Sequence, residues 1–145
     1  MANRLDSAPP PPDQEATGLV IVDHGSRRAE SNELLEAVVA EYRRHSGLRV
    51  VEPAHMELAE PTIATAFARC VEQGAQRVVV FPYFLGPGRH WNEDIPQLTA
   101  AAAAAFPGVQ FVVTAPLGLH PLVLEVIDQR IAECLHAPQP GERGA

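Results

Sequence analysis

Leu19-Val20-Ile21-Val22-Asp23-His24-Gly25-Ser26-Arg27-Arg28 is an unbroken apolar run that stops abruptly on charged and flexible residues. Four consecutive apolar side chains without polar alternation suit a strand covered on both faces, the habit of parallel sheets. The segment that follows carries Leu34, Leu35, Val38, Val39 and Tyr42 on one helical stripe, and Gly47 marks its end. This unit, a buried strand running into an amphipathic helix, recurs along the chain.

A second strand runs from about Val50 towards Met56, and Pro53 within it predicts an edge position or a bend. Pro61 suits the first turn of a helix whose inner face is Ile63, Ala66, Phe67, Cys70 and Val71, with Gly74 as its stop. Val78 to Phe81 form the third strand, followed by a long glycine- and proline-punctuated connection from Pro82 to Trp91. A third helix begins around residues 92–96, continues into Ala100 to Ala105 and ends at Pro107-Gly108. Val109 to Thr114 are the fourth strand, and Pro121 opens a last helix expected to face Leu122, Val123, Val126, Ile127 and Ile131 inward. The strand starts at Leu19, Val50, Val78 and Val109 recur at intervals of 31, 28 and 31 residues. Such spacing predicts an α/β fold: a three-layer sandwich with a four-stranded parallel sheet and helices on both faces. Its two open edges make a dimer the expected state.

The domain occupies residues 18–136 in this reading, between a disordered Pro-rich tail over 1–17, which holds Pro9 to Pro12, and a flexible tail over 137–145. A domain of this length buries roughly 70% of its unfolded surface and needs no metal or disulfide to fold. With 11 Lys and Arg against 18 Asp and Glu, the net charge of -7 argues against a nucleic-acid partner. No apolar stretch approaches the roughly 18 residues of a membrane span, and the N-terminus lacks the pattern of a signal peptide. Cys70 and Cys134 form no CxxC pair and read as reduced thiols. A cytoplasmic location is expected.

In open α/β sheets, ligands bind beyond the carboxyl ends of the strands. Those positions hold Asp23 and His24, then His55 and Glu57, then Arg89 and His90, and finally His120. His45 and His136 fall near helix C-termini, where dipole and solvent account for them. His24, beside the permissive Gly25, is either a hydrogen-bonded strand end or a metal ligand or acid/base, and His90 has the same choice. Two histidines without a cysteine suit a weak, open metal site. Arg27, Arg28 and Arg89 could pair with carboxylates or phosphates. Glu60 reads as a helix cap, Glu57 as a proton acceptor or metal contact, Asp94 as a helix-start residue, and Trp91 as core, dimer contact or stacking platform.

At these residues the segments DHGSRRAESNELLE, VEPAHMELAEPTI, VVVFPYFLGPGRHWNEDIP and TAPLG closely resemble the small sirohydrochlorin chelatases of the CbiX/SirB type, particularly plant and cyanobacterial sirohydrochlorin ferrochelatases. The likeness extends from about Leu19 to Ile131. It implies a chelatase-type sandwich in which larger relatives hold two such units and short ones dimerise. It implies insertion of a divalent metal into sirohydrochlorin, a tetrapyrrole with eight carboxylate side chains. Iron, giving siroheme, is the expected metal, with cobalt, leading to cobalamin precursors, as the alternative. The family's metal-handling histidines fall on His24 and His90, and its ELAEP segment makes Glu57 the assisting carboxylate. The plant enzymes carry a cysteine-containing extension for an iron–sulfur cluster; this chain has no counterpart beyond Cys134, so no cluster and no permanently bound cofactor are expected.

These readings combine into one scheme. His24 and His90 hold the incoming Fe(II) or Co(II), or take the pyrrole protons, with Glu57 assisting. Ser26, Arg27 and Arg89 bind the substrate's periphery, and Gly86 and Gly88 let the ring lie against the backbone. A non-enzymatic tetrapyrrole or metal carrier is the alternative outside catalysis. A phosphoesterase ranks last, because Asp23 stands where histidine phosphatases place an arginine.

Overall fold

The structure is a computed structural model, and it describes residues 16–136, except Pro87 and Arg89 and the side chains of His90 and Trp91. Strand β1 spans Thr17–Asp23 and is followed by helix α1, Ala29–Ser46. Then come β2, Val51–His55; α2, Ile63–Glu72; and β3, Arg77–Pro82. A π-helical turn, His90–Asp94, leads into α3, Ile95–Ala103, and the chain continues through β4, Gln110–Val113, to α4, Pro121–His136. All strand pairs are parallel, in the order β2-β1-β3-β4. The expected four-stranded parallel sheet is therefore present, with β2 and its Pro53 on an edge.

Alternate side chains of β1 feed two separate cores, as the two-residue period of a strand requires. Val20 and Val22, with Val78 and Val80 of β3, pack under α2 and α3 through Ile63, Phe67, Cys70 and Ile95. Leu19 and Ile21 face the other way and meet Leu35 and Val39 of α1. The helices thus lie on both faces of the sheet. Gly47 ends α1 in the left-handed region (φ 73°), its N–H donating to the Arg43 carbonyl at 3.0 Å.

Three local expectations are corrected. Pro61 lies outside α2: Thr62 is the N-cap, its hydroxyl accepting from Thr65 N–H, while the Pro61 carbonyl accepts from His55 N–H at 2.8 Å and keeps the chain bridged to β2. Glu60 supports that start without being the cap, since its carboxylate accepts from Thr62 N–H and from the Thr65 hydroxyl. The largest departure is α4. It buries none of its residues: of those expected inward, Leu122, Val126, Ile127 and Ile131 are each about half exposed and Val123 is partly buried.

The same cause exposes Leu34 and Tyr42 on α1. Among the described residues only α1 covers its side of the sheet, leaving an apolar trough of about 390 Å³ lined by Leu19, Ile21, Tyr42, Val79, Phe81 and Leu117, among others. On the same face, Val112 of β4, in register with Val79, is also exposed. The described residues therefore leave a partly open apolar trough on this sheet face, and an apolar helix, α4, with none of its residues buried.

Candidate functional site

The carboxyl ends of β1 and β2 stand in register, with Asp23 opposite His55. Past that pair the two chains stay joined: Met56 N–H donates to the Asp23 carbonyl at 2.9 Å and Glu57 N–H to the His24 carbonyl at 3.1 Å. This extension brings the side chains of His24 and Glu57 together, Nε2 to Oε1 at 2.9 Å. Their side chains are 43% and 51% exposed, so the pair faces solvent while its backbone is held by the sheet. Phe84, from the loop after β3, stands edge-on to the His24 ring at 6.5 Å between centroids.

Two backbone features shape this corner. Gly25 takes φ +92°, and a Cβ there would lie 1.9 Å from the Glu57 carbonyl oxygen. Leu58 also has a positive φ, 70°, uncommon for a residue with a side chain. It is exposed. Backbone in such regions concentrates at functional sites.

Of the other expected residues, Ser26 shapes the β1–α1 turn: its hydroxyl accepts from Arg28 N–H, and its backbone exchanges two hydrogen bonds with the Asn32 side-chain amide. Arg27 is exposed at the same rim, and Arg28 is the N-cap residue of α1. A Cβ on Gly86 or Gly88 would meet only open space, so the chain's own packing does not require glycine at either position. Arg89 and the His90 side chain lie outside the described residues; the His90 backbone begins the π-helical turn. Asp94 is the N-cap residue of α3. His120 directly precedes α4, its Nδ1 accepting from Leu122 N–H at 3.2 Å.

Sequence reasoning placed Asp23 and His55 at the strand ends without pairing them. His55 is 1% exposed and its Nδ1 lies 2.6 Å from Asp23 Oδ1. The pairing follows from strand register, which sets Leu19 opposite Val51 and so Asp23 opposite His55 four residues on. Among the described residues, no three His, Cys, Asp or Glu side chains gather in a group able to hold a metal. The His24–Glu57 pair is an open arrangement of one imidazole and one carboxylate, able to offer nitrogen and oxygen to a borderline divalent cation or to accept protons.

Fold and site together define a three-layer α/β domain with an imidazole–carboxylate pair at the carboxyl edge of a parallel sheet. The CbiX family profile matches residues 18–134, and the chain belongs to that family. It is 59% identical over 121 residues to the chloroplastic sirohydrochlorin ferrochelatase of Arabidopsis thaliana, covering 83% of this chain and 54% of that protein. It is 31% identical over 138 residues to the sirohydrochlorin cobaltochelatase of Methanopyrus kandleri, covering 81% of this chain and 96% of the relative. Among solved structures, SirB from Bacillus subtilis with Fe3+ superposes with a TM-score of 0.77 at 30% identity, covering 86% of this chain and 49% of that one. The chain thus spans about half the length of the plant and bacillary proteins and nearly all of the archaeal one.

Proposed function

We propose that this chain is a sirohydrochlorin chelatase that inserts a divalent metal, Fe(II) in the first instance, into sirohydrochlorin. The observation that carries the reading is the 2.9 Å contact between His24 Nε2 and Glu57 Oε1 at an exposed sheet edge. Insertion displaces two pyrrole protons and strips ligands from the metal. An imidazole beside a carboxylate serves both needs: it can pass a metal on or accept a proton, and the carboxylate stabilises the charge that results. His90 is the second metal-handling residue in this scheme. Ser26, Arg27 and Arg89 bind the peripheral carboxylates, and Gly86 and Gly88 admit the ring edge. Co(II) is the second metal, a reading favoured by the cobaltochelatase name of the archaeal relative.

Anaerobic absorbance spectroscopy of sirohydrochlorin with Fe(II), and separately Co(II), tests this with catalytic amounts of protein. Multiple turnovers above the uncatalysed rate are expected. Tight tetrapyrrole binding with no acceleration would replace the enzyme by a carrier.

The active form in this reading is a homodimer in which α4 of each copy lies in the apolar trough of the other. Its support is the complementarity of two apolar surfaces that the described residues leave open or partly open, the apolar side of α4 and the trough over β1 and β3. Exchange of the same element in both directions closes a two-fold assembly without leaving either surface open. The connection preceding α4 also reaches the site, because Leu117 N–H donates to the carbonyl of Phe84, whose ring meets His24. No described helix is long and apolar enough to cross a membrane. A cytoplasmic setting completes the reading, in keeping with two cysteines outside any disulfide.

A further inference from the structure

We infer that Asp23 and His55 are a positioning pair whose contact, buried on the His55 side, holds His24 against Glu57. The inference rests on the chelatase reading and adds two residues to its site. His55 is among the few polar side chains excluded from solvent, at 1% exposure, and Nδ1 meets the Asp23 carboxylate at 2.6 Å. The functional pair is attached directly to it: His24 follows Asp23, and Glu57 lies two residues after His55. The inner pair joins the last residues of β1 and β2, the outer pair sits one step beyond, and the two carbonyls between them, of Asp23 and His24, each accept an N–H from the opposite chain.

A buried imidazole is costly when left without a partner, and an apolar side chain in its place would close the end of a sheet at least as well; here the partner is the Asp23 carboxylate, 22% exposed. What a directional bond adds is a fixed distance between two strand ends. That distance matters here because the backbone is already crowded: Gly25 brings its Cα against the Glu57 carbonyl, and a Cβ there would also stand 3.1 Å from His55 Cβ. Moreover, β2 is an edge strand, held on one side by β1 and on the other by no strand among the described residues. Its carboxyl end packs on α2 through Ala54, and among the described residues its polar ties there are those to β1, the Pro61 bridge and this side-chain contact. Neither Asp23 nor His55 needs to touch substrate; both act through the placement of the exposed pair, much as partners behind metal-bound histidines fix their orientation.

His55→Phe removes the bond at similar volume, and His55→Asn restores a donor near the Nδ1 position. In sirohydrochlorin insertion with Co(II), His55→Phe is expected to lower kcat by about tenfold or more while leaving the KM for the tetrapyrrole within about twofold, since misplacement of a reacting group acts on rate before binding. His55→Asn is expected to recover part of that loss. A second readout uses no substrate or metal: the His24 ring protons lie beside Phe84, so their NMR shifts report where the ring stands. These shifts are expected to move in His55→Phe and to return towards wild type in His55→Asn. Should His55→Phe fail to fold, Asp23→Asn carries both measurements, with the same fall in kcat and the same displaced resonances expected. A folded variant that keeps wild-type kcat and wild-type His24 shifts overturns the inference. Wild-type protein that inserts no metal overturns the chelatase reading instead, and the His24 shifts still decide the role of the pair.

Discussion

Gly25 and Glu57 touch through backbone alone: a Cβ on Gly25 would stand 1.9 Å from the Glu57 carbonyl oxygen. The β1–α1 turn and the loop after β2 are pressed together at that point, and the His24–Glu57 contact of 2.9 Å forms beside it. A glycine in the sequence is thus converted, through φ +92° and the absence of a side chain, into the placement of an imidazole beside a carboxylate.

Gly25→Ala should therefore be damaging on two counts, a left-handed backbone and a collision with a carbonyl that has no flexible side chain to move. We expect a loss of about 2–4 kcal/mol in urea unfolding, together with most of the metal-insertion activity. Gly86→Ala is the control. A Cβ there meets nothing, so its unfolding midpoint should match wild type, and any activity change would reflect contact with substrate.

His24→Ala and Glu57→Gln should separate chemistry from folding. Both side chains are near half exposed, so neither change should measurably alter thermal unfolding. Insertion is expected to fall by about 10²-fold or more in His24→Ala, the usual scale for losing a positioned acid/base or ligand. Glu57→Gln should lose less, since the amide keeps an oxygen for the metal but not the charge. Initial rates from the absorbance change of the tetrapyrrole give both numbers, and wild-type rates in His24→Ala would move the active site elsewhere.

Most of the fold was legible because its signals are local. The Leu19–Val22 run reads as a buried strand because both of its faces are in fact covered, by α1 on one side and by α2 and α3 on the other. The Ile63, Ala66, Phe67 and Cys70 stripe reads as a helix face because those four side chains are its buried ones. The start of α2 was misread because proline's preference for a first turn competes with the Thr62 cap and the bond from His55 N–H to Pro61. The last helix shows a different limit: periodicity reveals that Val126, Ile127 and Ile131 are apolar, not which surface they meet. In the site, His24 and Glu57 were found by position at strand ends, whereas the Asp23–His55 pair required strand register, which pairs residues 32 positions apart.

Cys70 gives the pH dependence. Burial, with a smaller contribution from the charge of Glu52, pushes its thiol up to about 12 from an ordinary 9.0. A thiol neutral in the fold and freer to ionise when unfolded adds stability that is fully present below about pH 9 and is lost as pH rises towards about 12. The stability advantage of wild type over Cys70→Ala should therefore narrow between about pH 8 and about pH 10.5 in urea titrations. At neutral pH a thiol reagent should label the exposed Cys134 and reach Cys70 only on unfolding. Rapid labelling of both cysteines in folded protein would contradict the buried placement.

Ile127→Glu and Ile131→Glu on α4 test the exchanged dimer. Both residues are about half exposed within one chain, so a carboxylate at either costs the isolated protomer little. In a partner's trough each would place an unpaired charge against Val79 and Phe81 and forfeit about 1.5–3 kcal/mol of apolar burial. That corresponds to a dimer weaker by about 10- to 100-fold for each substitution. Sedimentation velocity should find wild type as a dimer and the double variant as a folded monomer with an unchanged far-ultraviolet spectrum. Because Leu117 connects this segment to Phe84 and thereby to His24, the monomer should also insert metal more slowly than the dimer. A wild-type monomer, or a double variant that still dimerises, would mean that some other surface covers the trough and that α4 lies elsewhere.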